Sequence, residues 1–176
     1  MNAAEKRLHL EVPEGIDLSI HTTSAPVRAE ALNPRSLRIA ALSGRTELGA
    51  VTAQSATLTS SSGSIHAVSV SAPSIVCSAS SGDVQIGVLT AETSRIATSS
   101  GSVCLTLLKT PSAEIRTSSG GIQLALPESG AEVAYTTSSG RLRTERTYEQ
   151  VGGLYVFGPG KCRLTAETAS GDLEIL

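Results

Sequence analysis

Three sets of residues could carry chemistry in this chain. The first is its metal-capable side chains: His9, His21, His66, Cys77, Cys104 and Cys162. They are far apart in sequence, and no HxxxH or CxxC spacing places two of them on one face as metal ligands require. Three cysteines are an odd number and do not read as a disulfide framework. The second set is the acids. Cleaving a glycosidic bond takes two carboxylates converging on one groove. Here Asp83 has serines at the equivalent places on either side, Ser64 and Ser102, and Glu114 faces Arg95 as a surface pair. The third set is a serine that recurs in Thr-Ser-Ser-Gly-like units, of which Thr98-Ser99-Ser100-Gly101 is the type example. A nucleophilic serine needs a base within reach, and no histidine recurs beside it. The Ser-Gly units do not precede helices, so they are not phosphate-cradling loops. A net charge of −2 with scattered signs gives no footprint for nucleic acid. The expectation is a chain that is not an enzyme, with no catalytic residue, metal or cofactor.

What positions the serines is a repeat. Ser43, Ser62, Ser81, Ser100 and Ser119 stand 19 residues apart, each followed by glycine. Ser24 lies 19 before Ser43 with Ala25 in the glycine place; Ser139 follows Ser119 by 20, and Ser170 follows Ser139 by 31. A fixed period of this size is the mark of a solenoid. With the serine as position zero, position −4 reads Ile20, Ile39, Leu58, Cys77, Ile96, Ile115, Tyr135 and position +3 reads Val27, Thr46, Ile65, Val84, Val103, Ile122, Leu142. Positions −6, +5 and +8 are also mostly apolar, the last running Leu32, Val51, Val70, Leu89, Leu108. Alternation by two within these stretches predicts short strands with alternate residues inward. The alternation breaks at the Ser-Gly step, near +6 at Gly49 and Gly87, and at the Pro-containing junctions between repeats. Three short sides and three corners per repeat describe an all-β parallel β-helix. Right-handedness is expected from the general crossover bias. About eight coils at ~4.8 Å each would make a rod of roughly 38 Å.

Glycine after the serine is expected to supply a positive φ, and Ala25 is expected to sit in a looser turn. Thr22, Ser60, Thr98, Thr117 and Thr137 at −2 form a hydroxyl column able to bond neighbouring backbone at a corner. The outward column at +4 reads Arg28, Glu47, His66, Gln85, Cys104, Gln123, Arg143, a solvated ladder with an Arg28–Glu47 pair.

The chain divides as one solenoid domain over 1–176. Residues 1–14 read as an opening strand, over Arg7 to Val12 with Leu8, Leu10 and Val12 alternating, and cap; 15–147 read as regular coils, 148–159 as a hairpin insert and 160–176 as the final coil. Aromatics make up 2% of the chain, and Tyr148, Tyr155 and Phe157 gather in the insert. They read as a lid over the end of the solenoid, with a partner-contact patch as the alternative. Val151-Gly152-Gly153 is the expected hairpin turn. No run of 18 apolar residues is present, so no membrane span is expected. The start, Met1 to Leu10, has no apolar signal core, which leaves a cytoplasmic chain or one exported by a segment outside this sequence.

Leu10-Glu11-Val12-Pro13-Glu14-Gly15, the Ser-Ser-Gly-x-Ile/Val units, and the ending Gly158-Pro159-Gly160-Lys161 with Ser170-Gly171-Asp172-Leu173 resemble the bacterial adhesin-like family of β-strand repeats, largely of unknown function. The resemblance implies a parallel β-helix and an envelope-linked scaffold that presents a surface to a protein or glycan partner. Self-assembly into a polymer through the solenoid ends is the alternative, and a carbohydrate-active β-helix enzyme a more distant one.

Overall fold

The computed structural model describes residues 8–160 and 162–176. Each 19-residue turn contributes two strands rather than three sides. The first six turns are β1 (Asp17–Thr22) and β2 (Val27–Leu32), β3 (Ser36–Ala41) and β4 (Thr46–Thr52), β5 (Ser55–Ser60) and β6 (Ile65–Ser71), β7 (Ser74–Ala79) and β8 (Val84–Thr90), β9 (Thr93–Thr98) and β10 (Val103–Lys109), β11 (Ser112–Thr117) and β12 (Ile122–Ala125). Odd strands form one parallel sheet and even strands the other, each residue paired with its equivalent one turn away, as in Ile96↔Ile115 and Val84↔Val103. The expected corner near +6 is a kink inside one strand. Inward residues sit at +3, +5 and +8, so two successive residues face out between +5 and +8, and the strand continues through them.

The interior is an aliphatic ladder. Leu37, Ile39, Leu58, Ile75, Ile96 and Ile115 from one sheet meet Ile65, Ile86, Leu89, Leu105 and Leu124 from the other, all nearly inaccessible to water. Each such side chain stabilises by roughly 1.5–3 kcal/mol on burial. One column assignment changes. Leu108 is 56% exposed, and Leu107 at 1% takes its inward place against Leu89. The kink in β10 falls two residues later than in β8, after Leu107, and the pairing shifts register on both sides of that residue.

After β12 the stacking order leaves the chain order. β13 (Ala131–Thr137) and β14 (Leu142–Thr144) form the outermost parallel rung of each sheet. The chain then makes β15 (Glu149–Val151) and β16 (Leu154–Phe157) before returning as β17 (Cys162–Thr168) and β18 (Leu173–Ile175). β17 lies between β11 and β13, and β18 between β12 and β14. The regular coils therefore end at Ala125 rather than at residue 147, and residues 162–176 fill the seventh layer rather than closing the rod. About six turns follow one another in chain order, and two more rungs are built out of order.

The insert pairs antiparallel as β15 with β16, and β16 adds to the free edge of β13 at Ala131–Val133. Its turn is Gly152-Gly153, with φ of 58° and 85°, while Val151 belongs to β15. Two consecutive positive φ values suit a two-residue hairpin, and only glycine adopts them without strain. The hairpin covers the edge of β13, not the last segment of the chain. At the opposite end, the expected strand through Leu8–Val12 is absent; Leu8 is 82% exposed and finds no strand to pair with. Arg7, where that expectation began, and the rest of 1–7 lie outside the described residues, as does Lys161.

Candidate functional surfaces

The recurring Ser-Gly unit is a stacking device. None of its glycines has a positive φ. A methyl group at Gly120 would lie 1.8 Å from the Gly101 carbonyl oxygen, and one at Gly171 would lie 1.9 Å from that of Gly120. The glycine is required because backbone approaches backbone between turns, not because the turn needs a left-handed residue. Ala25 is accommodated because no described coil lies beneath it to supply the carbonyl. Its corner is not looser: Thr22 Oγ1 accepts the Ala25 N–H at 3.1 Å, the same bond that Thr117 makes to Gly120. Thr117 also donates to the Gly101 carbonyl at 3.1 Å, and Thr98 and Thr168 repeat this toward Gly82 and Gly120. One hydroxyl thus satisfies an amide in its own turn and a carbonyl in the turn below, groups that are expensive to bury unpaired.

These bonds turn the zero-position serines outward. In stacking order they are Ser24, Ser43, Ser62, Ser81, Ser100, Ser119, Ser170 and Ser139, and every one is exposed. The out-of-order rung keeps the column unbroken.

The +4 ladder also gains a member. Gln123 faces Glu174 before Arg143 is reached, and its Nε2 donates to Glu174 Oε2 at 3.0 Å. Cys104 Sγ donates to Gln123 Oε1 at 3.4 Å, and Arg143 pairs with Asp172 at 2.8 Å. These side chains line a shallow groove of about 330 Å³. Asp172 Oδ1 also accepts the Arg141 N–H, as Asp83 accepts that of Ser102, so both carboxylates fasten one turn to the next. Arg28 and Glu47 pair at 2.7 Å. His66 stands beside Glu47 in the same ladder, while His21 is on the other sheet and bonds Ser19 Oγ at 3.2 Å; His9 precedes β1. Among the described residues, no three His, Cys, Asp or Glu side chains converge.

On the opposite sheet, Arg95 pairs with Glu114 at 2.8 Å, Glu114 with Arg116 at 2.7 Å, and Arg116 with Glu167 at 3.2 Å. The first pair is legible from the period. The last joins residues 51 apart and could not be found by counting in nineteens. A signal for it does exist. The rung of β13 and β14 carries Tyr135 at −4 and Thr144 at +5, only partly buried, whereas β17 and β18 bury Leu164, Ala166, Leu173 and Ile175. An aliphatic rung needs neighbours on both sides; a rung with a ring and a hydroxyl suits an end.

Among the described residues four groups have shifted acidities: Asp17 and its partner Arg35, whose guanidinium is raised by the same bond, and two cysteines. Hydrogen bonds from Arg35 and then Ser36 lower the Asp17 carboxyl to about 2. A depressed carboxyl stabilises the fold above its unfolded value and loses that contribution as pH falls toward 2. Burial pushes the Cys77 thiol up to about 12 and raises that of Cys162. Neither is a reactive thiolate at neutral pH.

The aromatic residues split. Phe157 is 1% exposed and belongs to the core, so it is not available to a partner. Tyr155 is half-buried and Tyr148 is 43% exposed, their rings 5.5 Å apart edge to face. Tyr148 also lies 5.6 Å from Phe157, so the cluster closes the solenoid from within and leaves only Tyr148 with a substantial open face.

Among the described residues no helix is long and apolar enough to cross a membrane. The family model described as Toastrack DUF4097 matches residues 1–176, and the chain belongs to that family. Comparison with curated proteins and with solved structures returns no match.

Proposed function

We propose, taking that membership as the premise, that the chain is a non-enzymatic interaction scaffold. In this reading it presents a fixed outer surface to a protein or glycan partner, in an adhesin-like, envelope-linked role. The observation that carries the reading is the column of eight exposed serines. Their spacing follows the ~4.8 Å repeat of the sheets, and the stitched backbone holds them without help from a ligand. A preorganised row of hydroxyls, each able to donate and accept, lowers the ordering cost of binding a chain of polar repeats. Tyr148 at the hairpin offers an amphipathic contact at one end of the same rod. The carboxylates beside the column, Asp83 and Asp172, accept turn-to-turn bonds, which favours a structural use over acid–base work.

The test is co-sedimentation with a panel of insoluble polysaccharides, alongside cross-linking to cell-surface proteins, using the whole chain, Ser81→Asp/Ser100→Asp/Ser119→Asp and Tyr148→Ala. Loss of capture in the triple variant with an unchanged melting temperature supports the serine face. Capture that depends on Tyr148 alone would move the contact to the hairpin. Release of reducing ends or unsaturated sugars from any of the polysaccharides would overturn the non-enzymatic reading.

A further inference from the structure

The base of the solenoid has the shape and charge of a half-interface. We infer that two copies of this chain join base to base, β1 against β1 and β2 against β2, both antiparallel, about one twofold axis perpendicular to the sheets. This goes beyond the scaffold role and does not depend on it.

Four observations lead here. Both sheets begin at β1 and β2, and among the described residues no strand pairs with their outer edges. The inward side chains of this first turn, Leu18, Ile20, Val27, Ala29 and Leu32, are only half-buried, whereas Leu37, Ile39, Leu48 and Val51 one turn on are buried. The interior is thus open at the base, while the far end has its odd-strand edge covered by the hairpin.

The third observation restricts what can lie there. At the position after the serine, every later rung carries glycine, because a Cβ would fall about 2 Å from the carbonyl of the rung beneath, as at Gly44 over Ala25 (2.1 Å). Ala25 carries that Cβ. A parallel coil stacked in register below it would place a carbonyl against the methyl group. This opposes head-to-tail growth into a polymer and leaves an antiparallel neighbour.

The fourth identifies the neighbour as a second copy. Antiparallel pairing of β1 with itself about Ser19 sets Leu18 opposite Ile20 of the other copy, both facing inward, and Asp17 opposite His21, both facing outward. Pairing of β2 with itself about Ala29 sets Arg28 opposite Glu30. Ser19 and Ala29 each lie five residues from Ser24, on opposite sides of the corner, so one axis can pass through both. Arg28 uses Nε for Glu47, and its side chain is otherwise 74% exposed, while Glu30 makes no ion pair among the described residues. Opposite charges facing across an antiparallel pair stabilise it, and like charges there destabilise it. The two strand edges also gain partners for their free N–H and C=O groups.

The experiment uses the whole 1–176 chain. In a Cys104→Ser background, Ser19→Cys brings two thiols together at the axis, where antiparallel Cα atoms are ~4.5–5.5 Å apart and a disulfide can form. Arg38→Cys, at the equivalent place one turn in, is the comparator. Expected are a dimer by sedimentation at tens of micromolar, and a covalent dimer on mild oxidation that forms at least ~10-fold faster for Ser19→Cys than for Arg38→Cys. Glu30→Arg should weaken the dimer at least ~10-fold, and Arg28→Glu/Glu30→Arg should restore it. A monomer at all concentrations, equal oxidation of the two cysteine variants, or a dimer indifferent to Glu30→Arg would each overturn the inference; a base covered by the chain's own N-terminal residues would give the first two of these.

Discussion

The first six turns and the closing third of the chain use the same parts under different rules of order. From β1 to β12, what comes next in sequence comes next in space. From β13 onward, the chain builds the outermost rung, adds a hairpin beyond it, and only then fills the layer it skipped. The local chemistry does not change. Thr168 caps Gly171 and donates to Gly120 as Thr117 caps Gly120 and donates to Gly101. The comparison teaches that a repeat specifies how any two rungs fit, and that end residues decide which rungs meet. It also gives the closing segment a structural task, because removing it would separate six turns from their lid.

The largest effects should come from a charge in the ladder, and they test whether the two regions are equally integral. Ile96 and Ile175 are both at 1% exposure or less, one in the fifth turn and one in the inserted rung. Ile96→Asp and Ile175→Asp should each cost several kcal/mol, since a buried carboxylate without a partner cannot be solvated. Ser99→Asp, on the exposed corner, should cost under ~0.5 kcal/mol. Urea unfolding of the three variants decides it. A mild Ile175→Asp would mean the closing rung is an appendage, and the comparison would fail.

Next in size is the glycine column. Gly120→Ala forces a methyl against backbone that cannot rotate away, and should cost about 3 kcal/mol, at the upper end for overpacking. Ala25→Gly, at the same position without a rung beneath, should change stability by less than ~1 kcal/mol, the ordinary entropic penalty of glycine. Thermal melts of both variants check the pair. Similar losses would mean that the column is needed for its turn conformation after all.

The period carried most of the fold. The 19-residue spacing gave the strand pairing residue for residue, the Arg28–Glu47 and Arg95–Glu114 pairs, and the hydroxyl column at −2. It misled where one pattern has two physical causes. Glycine beside serine can mean positive φ or close approach, and only the contact with Gly101 or Gly120 separates them. The inward choice between Leu107 and Leu108 depends on where a strand kinks, which two adjacent leucines do not reveal. The groove of Gln123, Glu174, Asp172 and Arg143 was hidden because its residues come from turns that are neighbours only after the order is broken. The aromatic cluster was legible as a group, but the burial of Phe157 was not, since nothing in Leu154–Phe157 states which face meets β13.

The smallest effect sets satisfied hydroxyls against unsatisfied ones. Thr117 and Thr168 are buried with both donor and acceptor engaged, whereas Thr46 Oγ1 and Ser94 Oγ are buried with no partner. Thr46 stands at +3 between Val27 and Ile65, and Ser94 at −6 between Ile75 and Ala113. Neither hydroxyl stitches two turns, so each carries a desolvation penalty of roughly 1–3 kcal/mol without the compensating bond. Thr46→Val keeps the shape of the side chain, and Ser94→Ala leaves the residue already present at the next turn. Each should raise stability by about 1 kcal/mol, and because the sites are three turns apart the gains should add. By contrast Thr117→Val, equally isosteric, should lower stability by ~1–3 kcal/mol, since it leaves the Gly120 amide and the Gly101 carbonyl without their shared partner. Denaturant midpoints of the three single variants and the Thr46→Val/Ser94→Ala double test the contrast. If Thr46→Val and Thr117→Val moved stability in the same direction, the hydroxyl column would be a feature of composition and not the clasp between turns.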